Sequence, residues 1–121
     1  MMRGVTALWV GVAGMGGVLA RYVLSTPFHG TTLPWVTVAI NVVGSFLLGV
    51  LVTAHGFSAE LRTALGVGFL GGFTTFSTFS VQVVLDAEAG EPGRALAYVV
   101  ASVVLGVAAA TAGYALGRSA F

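Results

Sequence analysis

Residues 66–80 read GVGFLGGFTTFSTFS, in the middle of an apolar segment that runs from 61 to 85. A segment of this kind is typical of a membrane-spanning helix, which needs about 20 mostly apolar residues. The adjacent glycines Gly71 and Gly72 weaken a helix, and the hydroxyls that follow them compete for backbone hydrogen bonds. We therefore predict a transmembrane helix with a break at the glycine pair. The alternative is a continuous helix whose hydroxyls donate to its own carbonyls.

Three more apolar segments have the length that a bilayer requires, which is about 20 residues. They cover residues 4–24, 33–54 and 94–116, and a polar turn at 86–93 separates the third segment from the fourth. The connections are too short to hold a catalytic domain outside the membrane. We predict an all-α membrane protein, a single four-helix transmembrane domain over residues 1–121.

The composition excludes most other classes of protein. Charged residues make up 7% of the chain, whereas a soluble domain carries roughly a quarter. Without cysteine there is no disulfide, thiolate metal site or cysteine catalysis. A net charge of +1 gives no basic patch for nucleic acid. No nucleophile–base pair is visible, so the protein is not predicted to be an enzyme. The first apolar run continues to residue 24 without a cleavage site, which argues against a cleaved signal peptide.

The arginines are nearly balanced across the membrane. Four spans put both termini on one side, together with Arg3, Arg62 and Arg118, while Arg94 lies on the other side and Arg21 lies near the end of the first helix. Orientation follows the side that is richer in Lys and Arg, and here the difference is small. We predict dual topology, in which the chain inserts both ways and pairs with its inverted copy. A fixed topology set by weak charge differences is the alternative.

Small residues recur four positions apart, a spacing that lets membrane helices approach closely. The pairs are Gly68 with Gly72, Gly106 with Ala110, and Gly113 with Gly117. Packing within one subunit and packing between two subunits both fit this pattern.

Several polar groups lie within the spans. Asn41 offers two N–H donors, which suit a small anion, although it could instead bind a neighbouring helix. Phe76 and Phe79 share a helix face, and the positive edges of their rings could touch an anion. They could equally be lipid-facing or core residues. Tyr98 and Ser102 add hydroxyls on one face, with an interfacial position as the alternative for Tyr98.

The charges within reach of the spans favour an anion. Arg21 could raise the anion concentration in a vestibule, or it could simply extend to the interface. No span carries an internal carboxylate, which a proton-coupled exporter of drugs or cations would need. That exporter, and a non-conducting partner subunit, remain the alternative functions.

Three motifs resemble those of the Fluc (CrcB) family of fluoride channels, and the resemblance covers essentially the whole chain. Residues 71–79 (GGFTTFSTF) are similar to its most diagnostic motif, and residues 41–49 (NVVGSFLLG) are similar to its second-helix motif. Gly17, followed by Arg21 and Tyr22, resembles its first-helix signature. The motifs occur in the expected order on the expected helices.

The resemblance implies a fluoride-selective channel in the cell membrane (inner or plasma membrane), an antiparallel homodimer with two pores. In the role that the resemblance implies, fluoride that enters cells as the neutral acid and dissociates would leave passively through the channel, which would relieve its toxicity. Asn41 would donate to fluoride and Phe76 and Phe79 would form a box of ring edges. A polar track would be lined by Thr75, Ser77, Thr78, Tyr98 and Ser102. A structural Na⁺ at the dimer centre would be bound by carbonyls, which we place on Gly71 and Gly72.

The chain departs from the family pattern at a few positions. Gln82 stands where the family usually has Glu near the pore mouth, and it keeps the capacity to form hydrogen bonds. In the first helix, Ala13 and Val18 replace the smaller residues expected there. Since some relatives pair two different chains, a heterodimer is the alternative to the homodimer.

Overall fold

The computed structural model describes residues 2–121, and within this range it contains helices and no strand. Helix α1 covers Met2–Ser25 and α2 covers Leu33–Thr53. A third, interrupted helix lies within Ala59–Glu88, and the last helix covers Pro92–Ala120. All four are long and apolar enough to cross a membrane. The predicted all-α fold with four helices of membrane-spanning length is therefore confirmed.

The third helix consists of four pieces. Helix α3 (Ala59–Thr63) leads into a π-helical segment (Ala64–Leu70), which is followed by one turn, α4 (Gly71–Phe73). After two extended residues, α5 covers Phe76–Glu88. The last helix of the chain is α6, Pro92–Ala120.

The break in the third helix lies at Thr74 and Thr75. Their φ and ψ angles are −88° and 157°, and −150° and 117°, so both residues are extended. Gly71 is helical, with φ −62° and ψ −37°. The prediction that the helix breaks at Gly71 and Gly72 was wrong in position, because these glycines form the last turn before the break.

The glycines before the break allow α1 to approach the third helix closely. A Cβ atom at Gly72 would lie 2.6 Å from the carbonyl oxygen of Gly14, and one at Gly17 would overlap the carbonyl of Phe69. Close packing explains why small residues are needed here. At Gly113 a Cβ would overlap the Phe46 carbonyl, so this glycine serves contact between α2 and α6. At these positions the small residues pack helices within one subunit.

Polar contacts hold the ends of the helices. The guanidinium of Arg62 donates to the carbonyls of Leu51 and Ala54, with an Nη2–O distance of 2.8 Å for Ala54. A cation at this place also offsets the negative end of the α2 dipole.

Arg94 forms a two-point ion pair with Asp86, with both N–O distances at 3.0 Å. This pair closes the hairpin between α5 and α6, and the predicted polar turn at 86–93 is reduced to residues 89–91.

Large apolar side chains cover the outer surfaces of α1 and α6. Met15 is 66% exposed and Val107 is 63% exposed. In water such surfaces would be costly, whereas hydrocarbon or another apolar helix accommodates them. The single subunit therefore presents the outer surface of a multi-pass membrane protein.

Candidate functional site

The break in the third helix is bound by a side chain of α2. The backbone N–H of Thr75 donates to Oδ1 of Asn41 at 2.8 Å, and Nδ2 of Asn41 donates to the carbonyl of Thr75 at 3.0 Å. The amide thus satisfies both polar backbone groups of one extended residue. One of its two N–H donors is used in this way, so a single N–H remains for a ligand.

The hydroxyls that follow the break cap helix α5. The backbone N–H of Thr78 donates to Oγ1 of Thr75 at 3.2 Å, which makes Thr75 the N-cap residue. The two threonine hydroxyls are also 3.0 Å apart, and Ser77 Oγ lies 3.5 Å from Thr75 Oγ1. These three predicted track residues are therefore neighbours at the start of α5.

The two phenylalanines of the predicted box are adjacent but differently exposed. The ring centroids of Phe76 and Phe79 are 6.0 Å apart, and their planes are inclined by 56°. Phe79 is 8% exposed, whereas Phe76 is 79% exposed. Phe79 thus belongs to the subunit interior, while Phe76 projects beyond it.

A cavity of about 330 Å³ opens beside the break. It brings together five of the residues predicted to line the pore, Asn41, Thr75, Phe76, Phe79 and Ser102, and it also touches Gly71, one of the two residues predicted to bind sodium. Its other lining residues are Gly44, Ser45, Leu48, Gly66, Leu70, Thr74 and Val103. Gly44 was not predicted as a site residue. Its position three residues after Asn41 was the feature of the sequence that could have identified it.

Two half-buried side chains, one in α5 and one in α6, each have a buried oxygen atom without a hydrogen bond. Neither Oγ of Ser102 nor Oε1 of Gln82 has a protein partner. Ser102 contributes to the cavity wall, whereas Gln82 does not. The serine hydroxyl is therefore available to a polar ligand in the cavity.

Tyr98 is placed away from the cavity. Its side chain is fully buried, and its hydroxyl donates to the carbonyl of Thr31 at 3.1 Å. Trp35 packs edge-on against its ring, with the centroids 4.6 Å apart. In the single subunit Tyr98 holds the connection between α1 and α2 against α6.

Arg21 lies on the α1 side of the third helix, outside the cavity lining. Its Nε donates to the carbonyl of Gly72 at 3.3 Å. This contact ties α1 to the turn before the break, and it engages one of the carbonyls to which a cation was assigned.

Two other carbonyls near the break lack their usual helical donors. In an unbroken helix the Thr75 N–H would bind the carbonyl of Gly71, but here it donates to Asn41. Likewise, the N–H of Thr78 would bind the carbonyl of Thr74, but it donates to the Thr75 hydroxyl. The carbonyl oxygens of Gly71 and Thr74 therefore lack the backbone donors that a continuous helix would give them. Among the described residues no cluster of three or more His, Asp or Glu side chains could hold a metal.

The third of four helices long enough to cross a membrane is interrupted beside an apolar cavity with a few hydrogen-bonding groups. This arrangement is typical of small membrane transport proteins of the channel or carrier class. The chain belongs to the family described as CrcB-like protein, Camphor Resistance (CrcB), whose model matches residues 8–114. The family resemblance inferred from the three sequence motifs is thereby confirmed.

Relatives of known name cover nearly the whole chain. A fluoride-specific ion channel FluC from Rhodospirillum centenum is 48% identical over 120 residues, covering 93% of this chain and 95% of the relative. The FluC channel of Agrobacterium fabrum is 44% identical, covering 93% and 95%. That of Geobacter sulfurreducens is 42% identical, covering 93% and 97%. These relatives are ion channels, which confirms the prediction that the chain is not an enzyme.

Proposed function

We propose that the protein is a subunit of a fluoride-selective channel in the cell membrane (inner or plasma membrane) and passively exports fluoride from the cytoplasm. The observation that carries the proposal is the likeness to fluoride-specific channels along nearly the whole chain. The cavity beside the break supports it, because Asn41, Phe76, Phe79 and Ser102 line one space.

The cavity suits a small anion that must bind and then leave. One N–H of Asn41 and the hydroxyl of Ser102 can each donate to the ion. The ring edges of Phe76 and Phe79 add weak positive potential without a formal charge. A lysine or arginine at this depth would hold the anion strongly, whereas conduction needs binding that is weak enough to permit release.

The active unit is an antiparallel dimer with two pores. Phe76 supports this arrangement, since 79% of the residue is uncovered in one subunit. A second copy, inverted in the membrane, would cover this ring and complete the wall of the pathway. The near balance of arginines on the two sides of the membrane allows both orientations to form.

A structural sodium ion at the centre of the dimer is also part of the proposal. The carbonyl oxygens of Gly71 and Thr74 fit it, because neither has its helical donor. Neutral oxygens suit a hard cation. Gly72 fits less well than its neighbour, because its carbonyl already accepts from the guanidinium of Arg21.

A flux measurement tests the function directly. Purified protein in liposomes loaded with potassium fluoride should release fluoride when valinomycin supplies the counter-current, and a fluoride electrode records the release. Chloride-loaded liposomes provide the selectivity control. If fluoride remains trapped while the protein is shown to be folded and inserted, the proposed function is wrong.

The dimer proposal makes a prediction about topology. A reporter fused to the C-terminus should be detected on both sides of the membrane, because three arginines against two give almost no bias. Adding two arginines to the 26–32 connection should shift the reporter to one side. A reporter found on one side only, in a chain that still forms a functional homodimer, would contradict dual topology.

The ring-edge account predicts that Phe76→Ile and Phe79→Ile each lower fluoride flux by about fivefold, since aromatic-edge contacts are worth about 1 kcal/mol. Isoleucine stays apolar but has no positive ring edge. Liposome flux is the measurement, and Phe28→Ile, outside the spans, is the matched control. Undiminished flux in both box variants would leave the phenylalanines as packing residues only.

A further inference from the structure

Two residues of α2, one turn apart, contact the two extended residues of the break. Asn41 makes two hydrogen bonds to the backbone of Thr75. A Cβ atom at Gly44 would overlap the Cγ2 methyl of Thr74, so the glycine leaves the space that this methyl occupies. The break therefore fits a recess on α2 that has a polar part and a steric part.

The recess on α2 supplies hydrogen-bond partners for backbone groups of the third helix that lose their helical partners at the break. Extended backbone at membrane depth leaves N–H and C=O groups without helical partners, each at a cost of several kcal/mol. The amide of Asn41 satisfies both groups of Thr75. The hydroxyl of Thr74 donates to the carbonyl of Leu70 at 3.0 Å, so this side chain is fixed between its own helix and Gly44.

The same contacts determine where α5 begins. Thr75 is held extended by Asn41, and in this conformation its hydroxyl caps α5 through Thr78. Phe76 is the first residue of α5 and Phe79 follows one turn later. A displacement of Thr75 would therefore shift both rings.

We propose that Asn41 and Gly44 form a break receptor on α2, and that through Thr74 and Thr75 they are positioning residues for the phenylalanine pair. Asn41 thus has a second role besides offering one N–H to an anion, and Gly44 acts by shape alone. The flux part of the test rests on the proposed function, whereas the hydrogen-exchange part does not.

Gly44→Ala tests the steric part without touching a hydrogen-bond donor. The new methyl would displace Thr74, and we expect at least about a tenfold loss of fluoride flux and about a tenfold faster amide exchange at Thr75. The compensating change is Thr74→Ser, which removes the overlapping methyl and keeps the hydroxyl. The next contact of a Cβ at Gly44 is then Phe73 Cδ2, at an ordinary 3.6 Å. The double variant should recover the flux and Thr75 protection of Thr74→Ser alone.

The control is Gly93→Ala, because a Cβ at Gly93 meets nothing within 4 Å. It should leave flux and Thr75 exchange unchanged. Should Gly44→Ala not fold, the proposal still requires the double variant to fold and protect Thr75. Asn41→Leu, similar in size but without an amide, should also expose the Thr75 N–H.

Three results would overturn the receptor. They are normal flux and normal Thr75 exchange in Gly44→Ala, a folded double variant without recovery, and a Thr75 amide that stays protected in Asn41→Leu. If the unaltered protein carries no fluoride, the proposed function fails, while Thr75 exchange still decides whether the receptor exists.

Discussion

Fluoride flux through Asn41→Asp is expected to fall by at least about a hundredfold, since a charge at membrane depth costs about 3 kcal/mol. The carboxylate keeps an acceptor for the Thr75 N–H but loses the donor that binds the Thr75 carbonyl. An anionic oxygen would then face a carbonyl oxygen across the break. It would also add negative charge to the wall of the cavity through which we propose that the anion passes.

Matched variants separate the effect of the added negative charge from the effect of the lost hydrogen bond to Thr75. Ser119→Asp adds the same charge on the exposed end of α6, so its flux should be unchanged. Asn41→Leu removes both hydrogen bonds to Thr75 without adding charge, so a milder loss than in Asn41→Asp would isolate the contribution of charge. Size-exclusion chromatography checks that each variant keeps the same oligomer. Normal conduction by folded Asn41→Asp would mean that this side chain neither binds the ion nor holds the break.

The helices were predictable because hydrophobicity over about 20 residues dominates whether a segment crosses a membrane. The second predicted segment, 33–54, differs from α2 at Leu33–Thr53 by one residue. The ends of α5 were less predictable. Asp86 is polar and looks like part of a turn, but its ion pair with Arg94 lets the helix continue to Glu88.

The position of the break was not predictable from local propensity. Two adjacent glycines weaken a helix, yet Gly71 and Gly72 remain helical because α1 packs closely against this turn. The chain breaks at Thr74 and Thr75, where α2 supplies an amide and a recess. A contact between residues 34 positions apart decides the outcome, and single-sequence reasoning has no access to it.

The candidate site was predictable only in part, because its geometry also depends on contacts between residues that are distant in the sequence. Residue chemistry identified Asn41, Phe76 and Phe79, and these do line one cavity. Chemistry alone did not show where the other polar groups point. Tyr98 donates to the Thr31 carbonyl and Arg21 donates to Gly72, so in one subunit both are engaged elsewhere.

Removal of the proposed sodium ion is expected to reduce fluoride flux strongly, without a change in the anion selectivity of the flux that remains. The carbonyls of Gly71 and Thr74 lack their helical donors because the backbone N–H groups of Thr75 and Thr78 donate elsewhere. An uncompensated carbonyl at membrane depth costs several kcal/mol, and a bound cation offsets this cost. Without it the break should rearrange, and the dimer should dissociate or lose its pathway.

The experiment exchanges sodium for N-methyl-D-glucamine by prolonged dialysis before reconstitution, because this cation is too bulky for a site made of carbonyls. Flux should return when sodium is added back, with a saturating dependence on its concentration. Potassium added back at the same ionic strength controls for a general salt effect. Full flux and an intact dimer after exhaustive removal of sodium would show that the carbonyls at the break are satisfied in another way.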